Sequence, residues 1–550
     1  MDRAFRGQLL LVGEGDFSLS VSLLTCLPQA LWENITSTSL ESESSIMKHK
    51  NATDNIKWLT QQGVNVYLNT DATHLDSQEK IRTKKYARII FNFPHAGGKS
   101  NHKKNRKLLK DFFCSAVDML DDGGEIYVTL CKGQGGTPAD QPRRKWHDSW
   151  QVVAMAACAN LVLKEVVPFV AEKLSEYTST GFRSQDKGFN TDGALTHIFV
   201  RTEPIVIPGG HIKEHHRITC PCNSYLQQKT FRQLHEEDGN PLCYLSQKLE
   251  VELNKKLNFW SVEITQDCTL KNTSSCQCKA PENSEEEAKF STLGAPQWNH
   301  HQSFPEELLV GHPALGTLQR IVNVPVTLEG LPVMHFMIGC VPSLSDSMQI
   351  EQILENVNKI FSDISKGSCK LEVAGTQIHL KMECIDEKIS HEIGHVFSYT
   401  KGNKTFDIFS LNLDKLAVPL FQLPNIRLLW SQDSQVVEGY QKMLKSDPPL
   451  LLPTISLYPL VFSHDISFWE NTQIPFNEPD FLSVIREVCG DLVVCVELLD
   501  RFHSVELNKV SRCYRLQFQA FDKALSYDTS WKLQSHLRLC VASVMKVELR

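Results

Sequence analysis

The sequence predicts an α/β chain of several domains. An open, doubly wound sheet is expected over the first two hundred residues, an irregular α+β region in the middle, and a βαββαβ unit at the C-terminal end. Three observations carry this. Leu9-Leu10-Leu11-Val12-Gly13-Glu14-Gly15-Asp16-Phe17-Ser18 runs an unbroken apolar strand into a glycine turn and a helix start, the local plan of a sheet that cradles a nucleotide-like ligand. Strand and helix patterns then alternate to about residue 202. From Tyr458 onward, alternating strands and two one-sided helices follow in the order βαββαβ. A single core does not serve a chain of 550 residues, so multiple domains are expected. Hydrophobic content of 41% and charged content of 22% are ordinary globular values. The net charge of −7 means that a nucleic-acid site must be a local basic patch. The opening residues do not read as a secretory signal, and no apolar window of about eighteen residues predicts a membrane span. The 17 cysteines, scattered singly or in weak pairs, read as reduced thiols.

The first domain is expected over residues 1–203. Gly13 and Gly15 let the backbone turn and leave no Cβ between chain and ligand, and Asp16 or Ser18 can cap a helix over 19–27. A second strand over 34–41 ends in Glu41, where an acid can take both ribose hydroxyls of a cofactor. Residues 42–55 read as a loop, 56–62 as a short helix and 64–68 as a strand, after which Asp71 is placed to meet the amine of an adenine. The strand over 87–95 ends in Asn92-Phe93-Pro94-His95, at the carboxyl edge where ligands of such sheets lie. Asn92 can hold an N–H, Phe93 can stack on a ring and His95 can take a proton near neutral pH. Lys103, Lys104, Arg106 and Lys107 follow in a run free of acids, a phosphate track leading into a helix over 108–120. A strand over 125–130, a long loop over 133–147, a helix over 150–159 and strands over 162–168 and 194–201 complete the domain.

This order is that of a class I, Rossmann-like methyltransferase. The wording resembles the uridine-N3 ribosomal RNA methyltransferase-like family at Leu11 to Ser18, Thr36-Ser37-Thr38-Ser39, Asp71-Ala72-Thr73, Phe91 to His95 and Gly124 to Leu130. The resemblance implies S-adenosylmethionine as cofactor, with Gly13 and Gly15 against its methionine moiety and Glu14, Asp16 and Phe17 of the same turn also in contact. It further implies Glu41 at the ribose, Asp71 at the adenine, and Asn92, Phe93, Pro94 and His95 facing the base. The chain departs from the family after the fifth strand, where Cys131-Lys132-Gly133-Gln134-Gly135-Gly136 and an insertion to His147 replace Gly-Glu-Pro-Tyr. A further family segment survives only loosely at Tyr177 to Arg183.

Residues 204–300 read as a linker, disordered over 265–292. The pairs Cys220/Cys222 and Cys276/Cys278 lack the spacing of structural zinc sites, and no metal is expected. His391-Glu392-Ile393-Gly394-His395 matches HExxH, but its glycine and strand-like flanks argue against a peptidase. Over 301–445, Phe406 to Ser431 resembles the third motif of class II phenylalanyl-tRNA synthetases. Ser410 and Asn412 stand for its glycines, Asp414 for its glutamate and Lys415 for its arginine, so the region reads as a degenerate synthetase-like core without adenylation. Residues 456–550 resemble the ferredoxin-fold anticodon-binding domain of the same enzymes, and Arg512 and Arg515 are candidate phosphate contacts.

The expectation is an S-adenosylmethionine-dependent RNA base methyltransferase, acting on N3 of a uridine in rRNA, with a C-terminal domain that binds tRNA or other RNA. The alternative is a catalytically silent RNA-binding adaptor. The partner is RNA, with no membrane, and the location is expected to be cytoplasmic or nucleolar. The sequence does not decide the oligomeric state.

Overall fold

A computed structural model describes residues 7–97, 101–180, 188–207, 224–264, 306–310, 312–321, 331, 333–343, 348–365, 369–383, 388–446 and 456–550. The chain groups into two compact units. One comprises residues 1–207, 454–462 and 522–532; the other comprises 208–453, 463–521 and 533–550.

The first unit is built on seven strands: β1 Leu9–Val12, β2 Ile35–Thr38, β3 Asn65–Tyr67, β4 Tyr86–Asn92, β5 Leu120–Leu130, β6 Leu161–Pro168 and β7 Leu195–Arg201. They lie in the order β3-β2-β1-β4-β5-β7-β6, with β7 antiparallel to both neighbours. β1 pairs in parallel with β2 on one side and β4 on the other, so the strand order reverses there and a crevice opens beyond its carboxyl end. Both faces of the sheet are covered. Leu10, Val12, Ile89 and Phe91 point into one core with Phe112, Phe113 and Phe199, while Leu9, Leu11 and Ile90 point into the other with Phe17, Leu23 and Leu59. This double burial is why β1 reads as a continuous apolar run.

Several expected boundaries move. The helix expected over 108–120 spans His102–Val117. Its start is set by Asn101, whose side chain accepts from the Lys104 amide at 3.2 Å, so the basic run forms the first turns of the helix. Leu120 instead opens β5, opposite Tyr86. The loop expected over 42–55 contains the short helix Glu43–Ile46 and the start of helix Ala52–Gln61.

In the second unit, β8 Trp260–Ser261, β9 Ala314–Ile321, β10 Val333–Pro342, β11 Cys369–Ala374, β12 Gln377–Glu383, β13 Lys388–Lys401 and β14 Lys404–Asn412 lie in the order β11-β12-β13-β14-β10-β9-β8. All pairings are antiparallel except β8 with β9. The linker reading of 204–300 is corrected at Pro241–Leu257, a helix with Leu242, Leu245, Leu249 and Leu253 inward at helical spacing. Its start is fixed by Asn240, which accepts from the Leu242 amide at 3.0 Å and has proline after it. Cys220, Cys222, Cys276, Cys278 and the stretch 265–292 lie outside the described residues. The HExxH sequence runs along β13, where four residues separate the two histidine backbones by about 13 Å, too far to share a metal.

The C-terminal sheet comprises β15 Val461–Trp469, β16 Val493–Ser504, β17 Lys509–Gln519 and β18 Glu548–Leu549, with helices Glu478–Cys489 and Tyr527–Met545. Its order, β16-β17-β15-β18, is the 2-3-1-4 arrangement of a ferredoxin-like βαββαβ chain. Among the described residues, no helix is long and apolar enough to cross a membrane.

Candidate active site

The turn after β1 is where the sequence placed the cofactor, and the structure changes what its glycines do. Gly13 has φ +72°, and a Cβ there would run into the Phe91 ring. At Gly15 a Cβ would collide with the Thr180 hydroxyl. Both glycines therefore admit the protein's own side chains. Asp16 anchors the same covering segment. It accepts from the Ser18 amide at 3.0 Å and the Ser18 hydroxyl at 2.6 Å, and its other oxygen accepts from the Thr178 hydroxyl. The Phe17 side chain is core, fully buried beneath the turn, which corrects its expected cofactor contact.

Glu14 is the unusual group of this turn. Its amide donates to the Thr38 carbonyl at 2.9 Å, fixing β1 to β2, and its carboxyl is buried. Burial, then the nearby charge of Asp16, push its pKa up to about 8 against hydrogen bonds from Ser20. Among the described residues, the charge acting on it is that of Asp16. The same two acids, after burial, push the Tyr177 hydroxyl well above its ordinary value.

Beyond β2 and β3 on the same edge lie Glu41 and Asp71. Glu41 holds the His49 ring nitrogen at 3.0 Å and 3.1 Å. Asp71 turns one oxygen onto the Thr73 amide at 2.8 Å and hydroxyl at 2.7 Å. Backbone bonds from Ser39 to Tyr67 and from Thr70 to Ser39 bring the two loops together. Each acid thus already has a local partner.

Across the switch point, Asn92 is the last residue of β4, opposite Thr129 of β5. The Phe93 amide donates to the Thr129 carbonyl at 2.9 Å, with φ +50°, a strained conformation at the mouth of a site. Phe93 was expected to offer its face to a base. Its ring is buried, stacked on Phe189 at 5.5 Å and 13° and met edge-on by Phe169 at 5.4 Å. Pro94 is buried behind it. His95 Nδ1 accepts from the Gly97 amide at 2.9 Å, so the neutral ring carries its proton on Nε2. The His95 ring lies 6.2 Å from Phe189 and 6.4 Å from Trp150. The sequence missed Phe189, Thr178 and Thr180; the loosely kept Tyr177 to Arg183 segment was the available signal.

The basic residues divide. Lys103 and Lys104 are exposed on the helix that begins at His102. Lys107 is exposed and paired with Asp111. Arg106 does not belong to a free track: its guanidinium donates to the carbonyls of His147 at 2.6 Å and Ser149 at 2.7 Å. Arg512 is bonded to Glu470 and lies 4.5 Å over the Phe476 ring. Arg515 grips Asp465 with two bonds of 2.8 Å. These last two arginines, the candidate phosphate contacts of the sequence reading, are engaged within the C-terminal sheet.

The synthetase-like motif is closed from within. Asp414 and His335 are both fully buried, the carboxylate lying 3.1 Å from Nδ1 and accepting from the His335 amide. Gln319 Nε2 reaches His335 Nε2 at 3.4 Å, and Lys415 Nζ donates to the Glu392 carbonyl at 3.3 Å. Among the described residues, no group of three His, Cys, Asp or Glu side chains could hold a metal.

Comparison with known proteins agrees with the two-part architecture. A family described as rRNA (uridine-N3-)-methyltransferase, BMT5-like, matches residues 10–181. Human ferredoxin-fold anticodon-binding domain-containing protein 1 is 30% identical over 623 aligned positions, covering 96% of this chain and 97% of that protein. This chain belongs to that family. Mouse mitochondrial phenylalanine–tRNA ligase is 33% identical over 144 residues, covering 26% of this chain and 31% of the ligase. The ligase of Dictyostelium discoideum is 32% identical over 165 residues, covering 26% of this chain and 36% of the ligase. The N-terminal domain is therefore of the methyltransferase type, and part of the chain is related to phenylalanyl-tRNA ligases.

Proposed function

We propose that the N-terminal domain is an S-adenosylmethionine-dependent methyltransferase acting on a base nitrogen of RNA, N3 of a uridine, and that the synthetase-related half presents the RNA. The observation that carries this is Glu14: a buried carboxyl beside the charge of Asp16, at the switch point of a methyltransferase-ordered sheet. Such a site favours a cationic ligand. The residues fit the cofactor on that ground. Gly13 to Asp16 would line its methionine end, Glu41 its ribose and Asp71 its adenine.

When bound, S-adenosylmethionine supplies an electrophilic methyl group. The chain then has to place a nitrogen against it and dispose of one proton. Asn92 stands at the strand end to hold the base edge. His95, with its proton on Nε2, is set to donate to a base carbonyl rather than to take a proton. The N3 proton would pass to water as negative charge on the ring is held by these donors. Positioning supplies the larger part of the rate.

Calorimetric titration of the full chain with S-adenosylmethionine tests the first step, with Gly15→Arg as control. Transfer of labelled methyl to total cellular RNA, with nucleoside analysis for 3-methyluridine, tests the second. Thr180 against Gly15 and Phe189 stacked on Phe93 favour the second reading, a silent RNA-binding adaptor. Absence of binding heat with the wild type, and no change on Gly15→Arg, would favour that reading instead.

A further inference from the structure

We propose that the insertion after β5, with Arg143, Arg144, Lys145 and Trp146 at its tip, is a platform that grips single-stranded RNA flanking the target base. The proposal deepens the methyltransferase reading and rests on it.

The insertion is held firmly at its base. The Trp150 amide donates to the Gln134 carbonyl at 2.7 Å and the Val152 amide to the Gly135 carbonyl at 3.0 Å. The Asp140 carboxylate accepts from the Thr137 amide at 2.8 Å and its hydroxyl at 3.1 Å. Gly135 packs against His197 so closely that a Cβ would not fit. Arg106 locks the returning limb through the His147 and Ser149 carbonyls, joining it to the helix that carries Lys103, Lys104 and Lys107. Trp150, three residues after the insertion, has its ring 6.4 Å from that of His95. The insertion therefore rises beside the base-facing corner of the site.

Its tip has the opposite character. Residues 141–148 are all exposed. Arg143, Arg144, Lys145, Lys103 and Lys104 have no carboxylate partner among the described residues, although the whole chain carries net charge −7, and the Arg144 side chain lies back against Gly133 and Cys131. Trp146 is 46% exposed, while its carbonyl accepts from the Ser149 hydroxyl at 2.9 Å and from the Gln151 side-chain Nε2 at 3.1 Å. An exposed indole on a pinned backbone, within a run of free cations, is the combination that stacks a base and tracks a backbone. An acidic protein would use the cations but would not need the indole.

Fluorescence anisotropy with a fluorescein-labelled uridine 20-mer, measured on the full chain across a salt series, reads both parts. R143A/R144A/K145A should weaken binding and reduce the slope of log affinity against log salt by about 2, at roughly 0.7 per phosphate contact. W146A should weaken binding about tenfold with the slope unchanged, and W146F should restore it. With 4-thiouridine in the probe, photocrosslinks should map to the peptide holding Trp146. Wild-type affinity and slope in both variants, or crosslinks confined to residues 456–550, would overturn the proposal and leave the cations to an acidic protein partner. Calorimetry with S-adenosylmethionine separates the two ideas. Variants that lose RNA but keep the wild-type heat support the platform, whereas a wild type without heat that still loses RNA on mutation supports the platform and defeats the catalytic reading.

Discussion

A single buried acid sets the chemistry of the turn after β1. Folding lifts the Glu14 pKa from 4.5 to about 8, so the folded chain keeps a proton that the unfolded chain releases at much lower pH. The sign follows: its contribution to stability is full below about pH 4.5 and is lost as the pH climbs through 8. Glu14→Gln keeps the shape without the titration. Thermal melts should show it level with the wild type at pH 4 and more stable than the wild type at pH 9. A cation beside Glu14 stabilises the carboxylate, so binding of S-adenosylmethionine should expel a proton. Titrations at pH 7 in buffers of different ionisation heat should then give different apparent enthalpies, and Glu14→Gln should remove the difference. The sequence made the position of Gly13, Gly15 and Asp16 legible because a turn between apolar strand and helix is a local signal. It did not show that Thr178 and Thr180 return over that turn from about 160 residues away, because no local period encodes which distant segment packs where.

Among elements, start signals decided more than periodicity did. The helix at His102 begins six residues before its apolar face does, since the Asn101 cap acts at the first turn and the apolar spacing only later. The same effect hid the helix Pro241–Leu257, whose polar, uneven neighbourhood read as linker although Asn240-Pro241 announces it. The ferredoxin-like unit was readable strand by strand, because each strand alternates and each helix has one apolar face. Its charge pairing was not, as Arg512 and Arg515 show. A related hidden pairing sits at the 3-10 turn Gly490–Leu492. Asp491 accepts from Lys229, from the Tyr225 hydroxyl at 2.5 Å and from Arg486 at 3.4 Å, and after the opposing cost of burial these cations bring its pKa down to about 2. Its stabilisation is present above the ordinary aspartate value and is lost as the pH falls through 2. Asp491→Ala leaves Lys229 and Arg486 buried without their anion and should cost about 3–5 kcal/mol, read as a lower urea midpoint.

For the chain as a whole, descent from two enzyme types has left one acidic crevice and one sealed motif. His335 and Asp414 satisfy each other in full burial, Lys415 is turned to a backbone carbonyl, and no glycine remains at 410 or 412 to admit a nucleotide. Phenylalanine-dependent pyrophosphate exchange should therefore be absent, and Lys415→Arg should not restore it. Two contacts at the N-terminal crevice have a kinetic meaning. Thr178 bonds to Asp16 at the turn after β1, and Phe189 stacks on Phe93 at the end of β4. On the proposed function, a donor seated at Asp16 and a base seated at Phe93 would each displace one of these contacts. Turnover should follow a compulsory sequence, and either substrate, once seated, should tighten the hold on its companion by one and the same factor.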